Sequence, residues 1–170
     1  ESRAKAQAFI LAGQVYVGQQ KVAKAGDRLP PEAELSVRGQ MPYVSRGGLK
    51  LEAALDALGV VSEGRVVADF GASTGGFTDC LLQRGAIRSY AIDVGYGQLH
   101  HKLRTDERVV VMERVNARTL EPGDLPEPVD LVVIDASFIG LEKLLPAAFA
   151  LLGPGGEVLA MVKPQFQVGR

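Results

Sequence analysis

With 170 residues, 46% of them hydrophobic and 23% charged, the chain can bury one sizeable core and carry a small second unit. Its apolar runs are far shorter than the ~20 residues of a membrane span, and the lone Cys80 excludes a disulfide framework or cysteine metal cluster and fits a reducing cytoplasm. The net charge of −1 hides an asymmetry: residues 1–50 hold eight Lys/Arg against four Asp/Glu, residues 51–170 eleven against sixteen, so a basic part suited to a polyanion precedes an acidic body.

Residues 1–13 read as a helix with Ala4, Ala8, Ile10, Leu11 and Ala12 on its apolar side. Val15-Tyr16-Val17, a turn at Gly18-Gln19, Lys21-Val22 and residues 33–37 are the short β segments of a small α+β module. Residues 39–45, broken by Pro42, form a linker. A helix is expected from Gly47 to Leu58, with Leu51, Ala54, Leu55 and Leu58 as its buried stripe and Gly59 as its C-cap. From Val66 the pattern alternates: strand 66–70, helix 76–84 closed by Gly85, strand 89–94, helix 97–104, strand 109–113, a loop through Pro122, Pro126 and Pro128, strand 130–135, helix 140–152 and strand 157–162. Five strands with interleaved helices predict an α/β fold with a doubly wound, mostly parallel sheet. The apolar runs in 131–135 and 157–162 suit strands covered on both faces. His100 and His101 are adjacent and cannot share a helical face, so a capping or solvated role is expected of them and no metal.

Ligands of such sheets sit beyond the carboxyl ends of the strands, which gathers residues 69–76, Asp93, Asn116, Asp135 and Lys163 into one neighbourhood. Asp69, then Gly71, Gly75 and Gly76, then Phe77, Cys80 and Leu81 at helical spacing describe a strand, a glycine turn and a helix N-terminus, which holds a nucleotide-like ligand. Asp93 stands 24 residues after Asp69 at the next strand tip, where an acid commonly grips ribose hydroxyls. A nucleoside-containing cofactor is implied, with turn chemistry alone as the plainer alternative. Ser73 occupies the position of the second glycine of G-x-G-x-x-G, and no Gly-Lys-Ser/Thr follows, so neither the dinucleotide fingerprint nor a P-loop fits. Lys163, at the end of an apolar strand and fixed by Pro164, is placed to act as a base. Asp135 at the neighbouring tip can orient it, and Lys50 flanks the stripe of the preceding helix; ordinary ion pairs are the competing explanation.

These stretches carry a resemblance. Asp69-x-Gly71-x-x-x-Gly75-Gly76 and the Leu152-Gly153-Pro154-Gly155-Gly156 turn are similar to S-adenosylmethionine-dependent methyltransferases. Residues 44–51 (VSRGGLKL), 71–80 (GASTGGFTDC), 93–99 (DVGYGQL) and 162–166 (VKPQF) resemble the TlyA family of bacterial rRNA methyltransferases, which also bears a haemolysin name. The resemblance implies a partial S-four-type RNA-binding domain over residues 1–38, named for ribosomal protein S-four. An FtsJ-like methyltransferase domain of the class I, Rossmann-like type would follow over 46–170, making the chain a piece trimmed at both ends. It further implies S-adenosylmethionine as cofactor, ribosomal RNA or ribosomal subunits as partner, and 2′-O-methylation of cytidine without a metal or a membrane. Lys50, Asp135 and Lys163 match the first three members of a Lys-Asp-Lys-Glu tetrad, whose glutamate would fall beyond Arg170, so this piece is expected to lack full catalytic machinery. Asp69, Gly71, Ala72, Ser73, Thr74, Gly75, Gly76 and Phe77 should surround the methionine side of the cofactor, Asp93 its ribose, Asn116-Ala117 its adenine edge, and Asp135 should adjoin it. Arg3, Lys5, Lys21, Lys24 and Arg46 are expected RNA contacts, against a reading as solvated cations. A non-catalytic RNA binder and a base- or protein-directed methyltransferase are the rivals. Base-directed enzymes commonly use an Asn/Asp-Pro-Pro-aromatic motif or paired cysteines, whereas this chain has Asp135-Ala136-Ser137-Phe138 and one cysteine. A pore-forming haemolysin has neither a membrane span nor a strongly amphipathic basic helix to support it.

Overall fold

The computed structural model describes residues 2–39 and 41–167 and contains two compact units, Glu1–Met41 and Pro42–Arg170. In the first, α1 (Arg3–Leu11) is capped by Ser2, whose Oγ accepts the Lys5 N–H at 3.3 Å. No residue of α1 is buried, and Leu11, expected on its apolar side, is 86% exposed. Strands β1 (Val15–Val17), β2 (Gln20–Lys21) and β3 (Leu35–Val37) form an antiparallel sheet in the order β2-β1-β3, around buried Val15 and Val22. The β1–β2 corner is the expected Gly18-Gln19 pair, with Gly18 at φ 58.

The second unit is built on five parallel strands in the order β6-β5-β4-β7-β8: β4 (Val66–Phe70), β5 (Arg88–Asp93), β6 (Val109–Glu113), β7 (Val129–Ile134) and β8 (Leu152–Ala160). Every residue of β4 is buried, as a central strand covered on both faces requires. Its side chains alternate between two apolar layers. Val67 joins Leu51 and Leu55 of α2 (Gly47–Leu58), Phe77 and Leu81 of α3 (Gly76–Gln83) and Leu103 of α4 (His101–Arg104). Phe70 joins Tyr90, Ile92, Ile134 and, from α5 (Leu145–Leu151), Ala148 and Leu151. A last turn, α6 (Pro164–Gln167), follows β8.

Three expectations are corrected. The helix expected at 97–104 shrinks to α4, because Gly97 takes φ 73 and His100 is spent on the cap, its Nδ1 accepting the Lys102 N–H. The helix expected at 140–152 begins at Leu145: Pro146, which lacks an N–H, fits only a first turn, and residues 141–143 form a separate 3₁₀ turn. The last strand starts at Leu152 rather than 157, pairing Leu152 with Val129 before an irregularity resets the register at Leu131–Glu157. A fourth correction concerns α2: Gly59 caps it in the left-handed conformation at φ 66, but Leu58 is 65% exposed and lies outside the stripe.

That phase is testable. Leu51→Ala, which empties a site 1% exposed, should lower stability by about 2–5 kcal/mol, whereas Leu58→Ala should change it by less than about 1 kcal/mol, as read from urea unfolding midpoints.

Candidate active site

Two cavities lie beyond the carboxyl ends of the strands, and the chain between β4 and α3 forms the wall between them. Gly71 leaves β4 at φ 86, its N–H and that of Ala72 both donating to the Ile92 carbonyl at 2.9 and 3.1 Å. A Cβ on Gly71 would lie 3.1 Å from Ala136 Cα and 3.3 Å from the Asp135 carbonyl, so the turn is pressed against the end of β7 and requires glycine. Ser73 adopts φ 49 and donates its N–H to Asp93 Oδ2 at 2.8 Å, while Gly95 donates to Oδ1 at 2.7 Å. Asp93 thereby ties the glycine loop to the tip of β5.

Asp69 sits behind the loop, fully buried and lining neither cavity. Its Oδ2 accepts the Thr78 N–H at 3.0 Å and the Thr78 hydroxyl at 2.8 Å, and Oδ1 has no hydrogen-bond partner. Burial pushes its pKa from the ordinary 3.8 up to about 7; the Thr78 bonds oppose the rise, and the charges of Asp135 and Asp93 add to it.

The first cavity, about 450 Å³, is lined among others by Gly71, Ser73, Asp93, Asn116, Ala117 and Asp135. Its apolar floor is Phe70, Ile92, Val115, Ile139 and Leu144. Asn116 caps the 3₁₀ turn Ala117–Thr119 through its Oδ1, which accepts the Arg118 N–H. A polar rim over an apolar floor of this size fits a nucleoside-sized ligand. The second cavity, about 740 Å³, brings Lys50, Asp135 and Lys163 together with Ser45, Arg46, Thr74, Gly76 and Phe77. The two share Gly71, Ser73, Asp135 and Ser137. Lys163 Nζ lies 2.6 Å from Asp135 Oδ1, a charge contact off the line of a hydrogen bond. It also donates to Ser137 Oγ at 3.0 Å and to the Asp135 carbonyl at 3.3 Å.

Sequence-expected residues thus divide. Gly71, Ser73, Asp93, Asn116, Ala117 and Asp135 line the smaller cavity, whereas Ala72, Thr74, Gly76 and Phe77 line the larger. Gly75 lines neither; at φ 93 it presses on Leu99 and Leu103, and a Cβ there would overlap both. Three residues escaped sequence reasoning. Gln98 receives the Ser73 hydroxyl at 3.3 Å; Ser137 holds Lys163; Phe138 is 91% exposed at φ 64, its ring 5.2 Å from that of Phe166. Only the short Asp135-Ala136-Ser137-Phe138 run after a strand tip signalled the last two. In the first unit Arg3, Lys5, Lys21 and Lys24 are exposed. Arg38, also missed, stacks 4.4 Å over Tyr16 and donates to the Gly18 carbonyl at 2.6 Å.

The sequence pattern of the FtsJ-like methyltransferase family matches residues 43–170. YqxC of Bacillus subtilis, whose name proposes an rRNA methyltransferase, is 50% identical, covering all of this chain and 61% of its own length. The Mycobacterium tuberculosis protein named 16S/23S rRNA (cytidine-2′-O)-methyltransferase TlyA is 45% identical over 99% of this chain and 64% of its own length. A haemolysin-named protein of solved structure from Streptococcus thermophilus has a TM-score of 0.75 and 45% identity, covering all of this chain and 63% of that one. The chain therefore spans somewhat less than two thirds of the length of these relatives.

The Asp69 carboxyl predicts a pH signature. Between about pH 4 and 7 the unfolded chain is ionised at this residue while the folded chain keeps its proton, so folding loses stability as pH rises through that window. Asp69→Asn removes the loss. The difference in Tm, variant minus wild type, should rise from pH 4 to 7 and then level off in thermal melts; a pH-independent difference would contradict the assignment.

Proposed function

The chain belongs to the FtsJ-like methyltransferase family, and from that premise we propose that its protein transfers a methyl group from S-adenosylmethionine to the ribose 2′-hydroxyl of a cytidine in ribosomal RNA. The observation that carries this reading is the convergence of Lys50, Asp135 and Lys163 on one cavity that joins the nucleoside-sized one along Gly71 and Ser73. The cytidine and the ribosomal RNA come from the name of the 45%-identical Mycobacterium tuberculosis relative.

The residues fit the cofactor. Gly71 leaves room at the loop where a Cβ would meet backbone at 3.1 Å. Each oxygen of Asp93 already takes one backbone N–H and keeps a lone pair for a ribose hydroxyl. Ile92, Val115, Ala117 and Leu144 offer apolar surface to an adenine ring. Bound there, the cofactor supplies an electrophilic sulfonium methyl.

A ribose hydroxyl is a weak acid and a poor nucleophile, so this chain's residues must hold it in line and accept its proton. Lys163 takes that proton at Nζ. Asp135, 2.6 Å away, offsets the ammonium that results, and Ser137 fixes the side chain's direction. Lys50, on the wall of the same cavity, adds positive charge opposite the developing alkoxide. The exposed Phe138 ring, beside Asp135 and against Phe166, offers a surface on which the target base can stack. The basic side chains of the first unit, Arg3, Lys5, Lys21 and Lys24, hold phosphates in the manner of an S-four-type domain, and Arg46 does so at the larger cavity.

The test incubates the protein with labelled S-adenosylmethionine and unmodified ribosomal subunits and identifies the labelled nucleoside by mass. The expected product is 2′-O-methylcytidine, reduced by roughly 10²-fold or more in Lys163→Ala with cofactor binding retained. Label on a base overturns the hydroxyl assignment. No label on either subunit, with the cofactor bound, leaves a non-catalytic RNA binder.

A further inference from the structure

Asp79, in the first turn of α3, lines neither cavity and is 2% exposed, yet its carboxylate accepts three hydrogen bonds. Its Oδ2 accepts the Val44 N–H at 2.8 Å. Its Oδ1 accepts Lys102 Nζ at 2.9 Å and Gln83 Nε2 at 3.1 Å. Gln83 donates also to the Pro42 carbonyl at 2.9 Å, so α3 holds the incoming chain at two points. That chain leads directly into α2, whose first turn carries Lys50 and whose approach supplies Ser45, Arg46 and Gly47 to the wall of the larger cavity.

One side of this joint is fixed independently. The start of α3 is locked to the sheet by Asp69 through Thr78. The other side is held at its far end, where Arg84 at the C-cap of α3 pairs with Asp56 and Glu52 of α2, but less so at its entry: beside the packing of Leu51, Leu55, Phe77 and Leu81, the N-terminal ends of the helices meet across bare backbone, where a Cβ on Gly76 would lie 2.9 Å from Gly48 N. Apolar packing is non-directional and a glycine contact offers no ridge, so both tolerate sliding. Tyr43 packs its ring on Gly48 and donates its hydroxyl to Glu52 at 2.7 Å, fastening the segment chiefly to α2, with Cys80 of α3 beside that hydroxyl. Among the described contacts, the ion pairs of Arg84 with Asp56 and Glu52 fasten the later turns of α2, and the bonds to Asp79 and Gln83 are the directional ones that hold the chain entering its first turn.

We propose that Asp79 is a positioning residue that places Lys50 and the Ser45-Arg46-Gly47 wall of the acceptor-side cavity by tethering Val44 to α3. The proposal rests on the methyl-transfer reading above for its kinetic consequence and on geometry alone for the tether.

The test compares wild type, Asp79→Asn and Asp79→Asn/Lys102→Gln, all near-isosteric at position 79 so that the fold survives. The asparagine offers the Val44 N–H only a neutral, weaker acceptor and turns an amide NH₂ towards the Lys102 and Gln83 donors, loosening both holds on the incoming chain; Lys102→Gln supplies an acceptor in return. Amide exchange in peptides covering 42–50 should quicken at least tenfold in Asp79→Asn while residues 66–77 change little. S-adenosylhomocysteine affinity by calorimetry should stay within about threefold, and the rate of methyl transfer to ribosomal subunits should fall roughly 10–100-fold, as for an ångström-scale misplacement. The double variant should recover at least threefold of that rate. Exchange that is unchanged, or raised evenly across the unit, overturns the proposal, as does a rate loss matched by an equal loss of cofactor affinity. If wild type transfers no methyl group, the functional reading fails, while exchange and calorimetry still decide the tether.

Discussion

The turn between β4 and α3 is the constraint on which the site depends. Five residues, 71–75, must carry the chain from the centre of the sheet into a helix while passing within van der Waals distance of the end of β7, and only a glycine at position 71 allows it. Two carboxylates lock the turn from opposite sides: Asp69 pins the helix start from behind through Thr78, and Asp93 pins Ser73 from the neighbouring strand. Everything a ligand would meet is then hung from backbone that has little freedom to move.

The electrostatics of the site follow from that geometry. Parallel strands end together, so acids at three adjacent tips, Asp69, Asp93 and Asp135, fall close enough to interact. Each is stabilised differently. Asp93 is satisfied by backbone N–H groups, and Asp135 has Lys163 Nζ 2.6 Å away. Asp69, fully buried, is driven towards its neutral form. Three identical side chains thus acquire separate roles from their surroundings.

Much of this was legible in the chain. The apolar runs of β4, β5 and β7, the Gly59 cap and the glycine loop are local signals, and local signals were read correctly to within a residue or two. What escaped depends on partners distant in sequence. The early start of β8 is a matter of pairing with Val129, and the exposure of Leu58 reflects how α2 lies on α3, neither of which the period of the sequence encodes. The strand order was likewise out of reach. At the site, residue type identified the acids and lysines, but the assignment of Thr74, Gly76 and Phe77 to the larger cavity rather than the smaller follows from the direction in which α3 leaves the turn. Ser137 stood out only as part of the Asp135-Ala136-Ser137-Phe138 run, since it matters through the Lys163 it touches.

The strand order β6-β5-β4-β7-β8 also has a consequence for synthesis. Of the five parallel strands, a ribosome releases β4, β5 and β6 first, and these alone can assemble one half of the sheet. The other edge of β4, the fully buried central strand, then stays open until Leu131–Ile134 emerge some sixty residues later, an interval of roughly 3–13 s at ordinary elongation rates. During that time an apolar edge with unpaired N–H and C=O groups faces the crowded cell, the geometry that invites pairing with a second nascent chain. The same parallel topology that brings Asp69, Asp93 and Asp135 to one rim leaves the half-made sheet with an open edge.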